Sequence, residues 1–310
     1  MFKERLKELR HKDLYRQSKV HSPELFNFSS NDYLGLSKHP DVVKASLKAA
    51  ADHGAGAGAS RLICGTTILH QELEKKLAKF KHCQSSLVFP TGYMANLGAI
   101  SAVVGMGDAI IVDELNHASI IDGTRLSGAR LLVYKHKDTK RLKTILERYR
   151  KRFKNVLIVT DSLFSMDGDI APLPEICALA KHYKCLSMVD EAHATGVFGP
   201  NGEGLVEHFG LGDKVDIIMG TLSKALGSLG GYIAGSKELI EYLTNTSRSF
   251  IYSTALPPAC CGAALKAIEI VQKDVARRER LWENIRYFTE NSEFRIQSEN
   301  PRSKIQDPKS

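Results

Sequence analysis

Seven short apolar runs, separated for most of the chain by segments of helical periodicity, limit the folds open to this sequence more than any other feature. Most of the runs are rich in Val, Ile and Leu, which is typical of strands buried on both faces of a sheet. They lie near residues 85–89, 109–113, 130–134, 156–160, 186–190, 215–219 and 231–234. Because strand and helix follow each other in series, we predict an α/β fold with a mostly parallel central sheet covered on both faces.

Helical segments fill most of the intervals between these strands. A proline at its start and a glycine after its end bracket a helix over about 40–53, and apolar residues at helical spacing predict another over 67–82. The opening residues carry an apolar stripe and are predicted as a helix, whereas 24–36 is predicted as a short strand and a turn. Two further helices are predicted over about 259–273 and 276–290.

The net charge of +8 and the pI near 9.1 raise the possibility of a nucleic-acid partner. Much of the excess positive charge, however, lies in residues 135–154, where apolar residues keep helical spacing. This pattern favours a solvated helix face over a nucleic-acid surface, although a bias toward anionic substrates such as coenzyme A thioesters fits the same charge. We therefore expect small-molecule substrates and no nucleic-acid partner.

The six cysteines show neither a CxxC pair nor the spacing of a zinc site, which predicts reduced thiols of a cytosolic protein and no metal. The basic opening segment lacks the apolar core of a secretory signal. No apolar run is long enough to cross a bilayer. These features predict a cytoplasmic protein without a membrane partner.

A single lysine, Lys224, stands among small and hydroxylated residues just past the apolar run at 215–219. Ligands of open α/β sheets bind outside the carboxyl ends of the strands. A primary amine with Thr221 and Ser223 beside it suits a phosphorylated aldehyde, because the amine forms an imine and the hydroxyls bond the phosphate. For one unpaired lysine, a solvated loop residue is the alternative.

The run at 186–190 ends in Asp190 and is followed by His193. A buried carboxylate at a strand end is costly unless it meets a cation, and a protonated pyridine nitrogen would be such a cation. Asp190 would lie beside Lys224 if their two strands are close in the sheet. A plain ion pair at the strand end is the alternative for Asp190 and His193.

Six motifs, spread along the chain from about residue 10 to about 290, together resemble the α-oxoamine synthases. These pyridoxal-phosphate enzymes condense an amino acid with an acyl thioester. The motifs are SNDYLG, LNHASIIDG, SLFSMDGD, DEAHATG, TLSKALG and IYSTALPP.

The resemblance implies a pyridoxal-phosphate transferase of fold type I, similar to aspartate aminotransferase, with a truncated C-terminal small domain. It implies three parts: an N-terminal helix and arm over 1–38, a large cofactor-binding domain over 39–256, and linker helices with the incomplete start of the small domain over 257–310. A chain of 310 residues is long for a single domain, which fits this division.

The resemblance also implies roles around the cofactor ring. Lys224 would carry the cofactor as an imine, and Asp190 would keep the ring nitrogen protonated so that the ring withdraws electrons. His117 would stack on the ring and touch the substrate, His193 would bond the phenolic oxygen, and Ser165 would contact the cofactor. A helix cap or a surface group is the alternative for His117.

Phosphate donors are predicted at the start of a helix after the first strand, where free backbone amides make an anion site, and among hydroxyls elsewhere. By resemblance, two of the hydroxyls act across a subunit interface, which implies a homodimer; the alternative for these two is turn chemistry before the proline pair. The predicted donors are Thr91, Gly92, Tyr93, Thr221 and Ser223, with Ser253 and Thr254 from the partner subunit.

At the substrate end, the resemblance places Arg16 on the acyl group and Asn31 near the amino-acid carboxylate, although a surface arginine and a turn asparagine are the ordinary interpretations. Within that family, the resemblance favours condensation of L-alanine with a pimeloyl thioester and loss of carbon dioxide, as in biotin biosynthesis. Condensation of glycine with an acetyl thioester is the second possibility. A remnant that binds pyridoxal 5'-phosphate without turnover is the third.

Overall fold

The computed structural model describes residues 1–20, 22 and 24–291. The chain forms two compact units, Met1–Ser30 and one that begins at Asn31. The first unit contains helix α1, Phe2–His11, as predicted. The division into parts at 1–38, 39–256 and 257–310 stays a prediction, and residues 292–310 of its last part lie outside the described residues.

The second unit is built on a seven-stranded sheet. Its strands are β1 Ser85–Phe89, β2 Ala109–Asp113, β3 Arg130–Tyr134, β4 Val156–Asp161, β5 Leu186–Asp190, β6 Ile217–Thr221 and β7 Gly231–Gly235. They are arranged in the order β1-β7-β6-β5-β4-β2-β3. The five strands from β6 to β3 pair in parallel, and β7 is antiparallel to both of its neighbours. The prediction of a mostly parallel sheet is confirmed, with β7 as the exception.

Helices cover both faces of this sheet. They are α2 Pro40–His53, α3 Ile68–Phe80, α4 Gly92–Val103, α5 Ala118–Ser127, α6 Thr139–Tyr149, α7 Leu173–His182, α8 Leu205–His208, α9 Lys237–Thr246, α10 Arg248–Ile251, α11 Pro258–Lys273 and α12 Val275–Asn291. Short 3-10 or π turns lie at Leu36–Lys38, Arg61–Gly65 and Arg150–Arg152.

Alternating side chains of the strands supply two separate apolar cores. Ile158 and Val189 pack on one face with residues of α3, α6, α7 and α11. Leu157 and Met188, their chain neighbours, pack on the other face with residues of α4, α5 and α9. Successive side chains of a strand point to opposite faces of the sheet. Because both faces of strands such as β4 and β5 are buried, these strands appear in the sequence as continuous apolar runs.

Two details differ from the sequence predictions. The prediction of a short strand within 24–36 was wrong. The Asp32 carboxylate accepts hydrogen bonds from the backbone N–H groups of Leu36 and Ser37, and Gly35 has φ +63°, so these residues form a turn and no strand. The strand predicted at 215–219 lies two residues later, at β6, because the Asp216 side chain binds Ser187 before the strand begins. This shift makes Thr221 the last residue of β6.

Candidate active site

A cavity of about 240 Å³ lies at the carboxyl ends of β4, β5 and β6, as expected for an open α/β sheet. It is lined by Thr91, Gly92, Tyr93, Asn96, His117, Ser119, Asp161, Asp190, Ala192, His193, Met219, Thr221, Ser223, Lys224 and Leu229. Nine of the residues predicted for the site are thus brought together from four separate segments. They are Thr91, Gly92, Tyr93, His117, Asp190, His193, Thr221, Ser223 and Lys224.

Lys224 and Asp190 share this cavity because β5 and β6 are neighbours in the sheet. The two strands pair in parallel, with Asp190 opposite Met219. Asp190 ends β5, and Lys224 lies in the loop that follows β6. The condition set by the sequence, that the two strands lie close together, is met.

The Asp190 carboxylate is buried, with a 3% exposed fraction, and both of its oxygens accept hydrogen bonds. Asn96 Nδ2 donates to Oδ2 over 2.8 Å, and the backbone N–H of Ala192 donates to Oδ1 over 2.9 Å. Sequence reasoning missed Asn96. It is a polar residue on the buried side of helix α4, and that placement was its only signal in the sequence.

A second buried carboxylate, Asp161, ends the adjacent strand β4 opposite Asp190. Its Oδ2 accepts a hydrogen bond from the backbone N–H of His117 over 2.9 Å. Burial and the nearby charge of Asp190 raise the pKa of the Asp161 carboxyl well above its ordinary value. Asp161 was also missed, although the strand-end argument used for Asp190 applies equally to it.

Lys224 belongs to a chain of short hydrogen bonds. Its Nζ lies 2.6 Å from His193 Nε2, and His193 Nδ1 lies 2.7 Å from the hydroxyl of Tyr33. The Tyr33 hydroxyl in turn donates to Asn31 Oδ1 over 3.1 Å. If Tyr33 donates to the amide oxygen, it accepts from His193 Nδ1–H, which leaves Nε2 as an acceptor for Lys224.

Burial favours the neutral forms of two groups in this series of hydrogen bonds, His193 and Lys224. Burial, and then the charges of Lys224 and His117, lower the pKa of His193 to about 4. Burial also lowers the pKa of Lys224, against the opposing effects of Asp190 and Asp161. A lysine whose pKa is lowered has a larger share of free amine, the form that attacks a carbonyl or removes a proton.

His117 serves two purposes at the opposite wall. It is the N-cap of helix α5, where its ring accepts from the backbone N–H of Ser119, and its Nδ1 lies 2.7 Å from Ser119 Oγ. Asn96 Nδ2 also donates to Ser119 Oγ over 2.8 Å, which links this histidine to Asp190. The capping alternative is therefore correct as a local structure, and the same ring also lines the cavity.

The start of helix α4 provides the anion site. Thr91 caps the helix by accepting from the N–H of Met94, and Gly92 opens it. Thr221 Oγ1 lies 2.8 Å from Ser223 Oγ, and both residues line the cavity together with the start of the helix, where free amides can bind an anion. Gly231 packs so closely that a Cβ there would lie 2.5 Å from Gly92 Cα, which allows the helix to begin against β7.

The remaining predicted residues lie outside this cavity. Ser165 lines a neighbouring, largely apolar pocket of about 180 Å³ that also contains Tyr33 and His193. Asn31 reaches the cavity only through Tyr33 and His193. The roles predicted for Ser165 and Asn31 stay predictions.

Ser253 and Thr254 also lie outside the lining. Thr254 forms an isolated bridge with Ser60. Arg16 is an exposed residue of the Met1–Ser30 unit. The roles predicted for these three residues, two of them in the partner subunit, likewise stay predictions.

The donor set fits pyridoxal 5'-phosphate. The cavity offers an amine for the aldehyde, a buried carboxylate for a protonated ring nitrogen, an imidazole, and a helix start with hydroxyls for the phosphate. The hydrogen bonds to both oxygens of Asp190 keep its carboxylate ready for a cation, and within the described part of the chain no lysine or arginine forms an ion pair with it. Fold and site together define a pyridoxal-phosphate enzyme with an aspartate aminotransferase-like architecture.

Comparison with known proteins supports the assignment to this class of pyridoxal-phosphate enzymes. The family model for aminotransferase class I and II matches residues 23–300. The 8-amino-7-oxononanoate synthase of Thermoanaerobacter pseudethanolicus is 48% identical over 299 residues, which is 93% of this chain and 76% of that protein. The enzyme of the same name from Symbiobacterium thermophilum is 49% identical, with the same coverage of both chains.

Solved structures give the same result. Serine palmitoyltransferase from S. paucimobilis, with bound PLP-myriocin, matches with a TM-score of 0.85 and 33% identity over 92% of this chain and 75% of that one. A crystal structure of 8-amino-7-oxononanoate synthase from Francisella tularensis matches with a TM-score of 0.75 and 32% identity over 87% of this chain and 76% of that one. The chain belongs to the aminotransferase class I and II family and, within it, to the α-oxoamine synthases.

Two findings concern the wider setting. Within the described residues, no helix has the length and apolar character needed to cross a membrane. The six cysteines are all free thiols.

Proposed function

We propose that this chain is a pyridoxal-phosphate-dependent acyltransferase that condenses L-alanine with a pimeloyl thioester. The products are 8-amino-7-oxononanoate, the free thioester carrier and carbon dioxide, and the pathway is biotin biosynthesis. The observation that carries the proposal is the meeting of Lys224 and Asp190 in one cavity at the ends of two adjacent strands. The 48% identity to an 8-amino-7-oxononanoate synthase supports this choice of substrates.

The bound cofactor supplies an electron sink that stabilises negative charge at the α-carbon of the amino acid. Asp190 holds the positive ring nitrogen, and its own position is held by Asn96 and the Ala192 amide. The free backbone amides at the start of α4 and the hydroxyls of Thr221 and Ser223 would hold the phosphate. In the free amine form, Lys224 takes the α-proton of L-alanine and later returns a proton to the product.

The neighbours of Lys224 prepare it for this task. Its pKa is lowered, and the uncharged His193 ring accepts a hydrogen bond from it without competing for the proton. The ring of His117 is held by Ser119, and its backbone N–H donates to the Asp161 carboxylate. His117 thereby provides a flat ring on the cavity wall. These contacts orient the reacting groups before the thioester arrives, and such positioning lowers the barrier to reaction.

We propose a homodimer in which Ser253 and Thr254 donate to the phosphate in the partner's cavity. These residues lie next to the exposed apolar side chain of Tyr252, and the bridge from Thr254 to Ser60 brings them near Ile63, which is also largely exposed. Exposed apolar groups of this kind are typical of subunit interfaces. We also propose a cytoplasmic location, which the free thiols support.

Shared sites can be tested by mixing two inactive variants. Lys224→Ala removes the amine, and the double variant Ser253→Ala/Thr254→Ala weakens the phosphate site of the partner. Mixed dimers should recover activity because one of their two sites then carries neither change. Lack of recovery in a mixture that forms mixed dimers contradicts the shared site.

The substrate-end proposals concern three residues. Arg16 is proposed to bind the acyl substrate, Asn31 to lie near the amino-acid carboxylate, and Ser165 to contact the cofactor from the adjoining pocket that it lines. Arg16→Ala is expected to raise KM for the pimeloyl thioester and to leave KM for L-alanine unchanged. A change in both KM values contradicts the assignment of Arg16.

The overall reaction is tested with a panel of substrates. L-Alanine and glycine are each combined with pimeloyl and acetyl thioesters, and thioester consumption is measured. We expect the alanine and pimeloyl pair to be consumed fastest. Preference for glycine with the acetyl thioester identifies a glycine C-acetyltransferase, and a visible cofactor band without consumption of any pair identifies a binding remnant.

A further inference from the structure

A buried ion pair lies directly behind the cavity, among residues that the proposed chemistry does not use. Lys81 follows helix α3, and Glu191 follows the last residue of β5. Lys81 Nζ lies 2.7 Å from Glu191 Oε2, and the two side chains are 2% and 0% exposed. Neither residue lines the cavity.

Hydrogen bonds satisfy both charges and join three segments. Lys81 Nζ also donates to Thr195 Oγ1 over 2.9 Å and to the backbone carbonyl of Glu203. The second oxygen of Glu191, Oε1, accepts from the backbone N–H of Val206 over 2.8 Å. The end of α3, the turn after β5 and the start of α8 are therefore tied at one point.

The turn tied in this way carries three residues of the cavity, Asp190, Ala192 and His193. Asp190 precedes Glu191, and His193 lies between Glu191 and Thr195 along the chain. The backbone of Glu191 is fixed as well, because its N–H donates to the Met219 carbonyl over 2.8 Å and its carbonyl accepts from the N–H of Thr195 over 2.9 Å. A shift of Glu191 would thus move Asp190 and His193 together.

Stability alone does not explain such a pair. Burying two charges costs several kcal/mol per ion, and replacing a buried pair with apolar residues is often neutral or stabilising. A conformational role for a buried pair needs its own evidence, which here is the position of the pair at the base of the functional turn. Since the proposed function places Asp190 and His193 on the cofactor, the inference rests on that function.

We infer that the Lys81–Glu191 pair is a positioning device that sets where Asp190 and His193 meet the cofactor. Glu191 acts through its neighbours and touches no substrate. Loss of the pair changes cofactor affinity and the proton equilibrium of the lysine-bound cofactor. It does not only lower stability.

The test compares the unmodified holoenzyme with Glu191→Gln, which keeps an acceptor for the Val206 amide and removes the charge. Pyridoxal-phosphate affinity, the pH midpoint of the visible absorbance band and urea unfolding are measured. We expect affinity to fall about tenfold or more, as for other residues that hold a ligating group in place. We also expect the band midpoint to move by roughly half a pH unit, because Asp190 and His193 shift relative to the ring.

Glu191→Gln leaves Lys81 buried without a counter-charge and therefore unfolds more easily, so a second variant is needed. Lys81→Met/Glu191→Gln removes both charges and is expected to be more stable than Glu191→Gln. It still lacks the bonds from Lys81 to Thr195 and Glu203, so the affinity and the band midpoint should stay altered. Recovery of both signals in this double variant overturns the inference.

Ser187→Ala is the matched control. Ser187 is a buried residue of the same strand, and its hydroxyl binds Asp216 at the opposite end of β5. The variant should lose stability and keep both cofactor signals. Equal signals in Glu191→Gln and the unmodified chain overturn the inference alone, whereas no cofactor binding by the unmodified chain overturns the proposed function as well.

Discussion

Asp190 and Glu191 are consecutive acids at the end of one strand, yet the structure treats them in opposite ways. Both are almost fully buried. Glu191 is neutralised inside the protein by Lys81, whereas among the described residues the Asp190 carboxylate has only neutral donors, Asn96 and the Ala192 amide. Because side chains leave a strand on alternate faces, the two carboxylates belong to different environments although they are adjacent in sequence.

This difference distinguishes residues that hold the fold together from residues of the proposed active site. A buried charge that has its full set of partners ties segments together, and a buried charge that lacks a cation is available to a ligand. The cavity holds a charge of the second kind, Asp190. Lys224 and Asp161 also line the cavity, and burial lowers the pKa of Lys224 and raises that of Asp161. If the ion pair and the cavity differ as their contacts suggest, substitutions on the two sides should have different effects.

The largest effect is expected at the cavity lysine. Lys224→Ala removes the amine that carries the cofactor and moves the α-proton, so turnover should fall by about a thousandfold or more and the visible cofactor band should disappear. Stability should change little, because the lysine has few contacts in the scaffold. Absorbance spectroscopy and thioester consumption measure the two effects, and a persistent band would show that the cofactor is attached to another lysine.

The next largest effects are expected at two glycines, one beside the buried ion pair and one in the cavity. Gly204 has φ +120°, and an added Cβ would lie 2.5 Å from both oxygens of Glu191. Gly204→Ala should therefore lower the free energy of unfolding by about 3 kcal/mol or more, through backbone strain and a disturbed ion pair. Chemical denaturation measures this effect, and a cost below about 1 kcal/mol contradicts the tightness of the buried pair.

Gly92 is the counterpart on the cavity side. A Cβ there would lie 3.1 Å from the flexible end of Met219 and 3.4 Å from Thr221 Cβ. Gly92→Ala should leave the free energy of unfolding within about 1 kcal/mol and weaken pyridoxal-phosphate binding, because the methyl group crowds the phosphate amides. Equal cofactor affinity in the variant places the phosphate elsewhere.

The pH dependence of stability should have opposite signs at two histidines. The pKa of His193 is about 4 in the folded protein against 6.5 ordinarily, so the unfolded chain binds the proton first as the pH falls. The stability from neutral His193 is present above pH 6.5 and is lost between 6.5 and 4. After allowance for solvent, the loss is about 2 kcal/mol.

His136 should behave in the reverse manner. Burial alone would lower its pKa, but hydrogen bonds to Asp113 and Asp169 outweigh burial and raise it. Its contribution is present below the ordinary pKa and is lost as the pH rises through the raised value. Urea unfolding of His193→Asn and His136→Asn from pH 4 to 8 should give changes of opposite slope, and slopes of one sign contradict the assignment.

The strands, and those site residues that a local pattern marks, could be predicted from the sequence alone. Apolar runs identified all seven strands, most of them because both of their faces are buried, and the position of Asp190 and Lys224 at strand ends marked them as site residues. Asp161 obeys the same argument and was overlooked. The one strand that does not exist, within 24–36, was lost to the turn built by Asp32.

What the sequence could not supply are contacts between distant positions. Asn96 and Asp190 are 94 residues apart, and Lys81 and Glu191 are 110 apart. Lys81 follows a helix rich in lysine and has the local pattern of a surface residue, although the fold buries it completely. Such partners are set by how helices pack on the sheet, and no local pattern encodes them.

The smallest predicted effect concerns Tyr33, whose hydroxyl joins His193 to Asn31. Tyr33→Phe keeps the ring and removes the partner of His193 Nδ1, so both tautomers of the imidazole become accessible and the acceptor for Lys224 is present only part of the time. We expect kcat to fall by roughly threefold to tenfold, the cost of about one hydrogen bond, with little change in pyridoxal-phosphate affinity.

The pH profile distinguishes this effect from loss of packing. Without the tyrosine, the acidic limb of kcat should shift, because the proton equilibrium of His193 changes, whereas a packing defect lowers kcat equally at every pH. Tyr33→Leu, which removes the ring as well, is the control for packing and should add a loss of stability. A parallel pH profile in Tyr33→Phe contradicts the role of the hydroxyl and confines the proton chemistry of the cavity to Lys224 and His193.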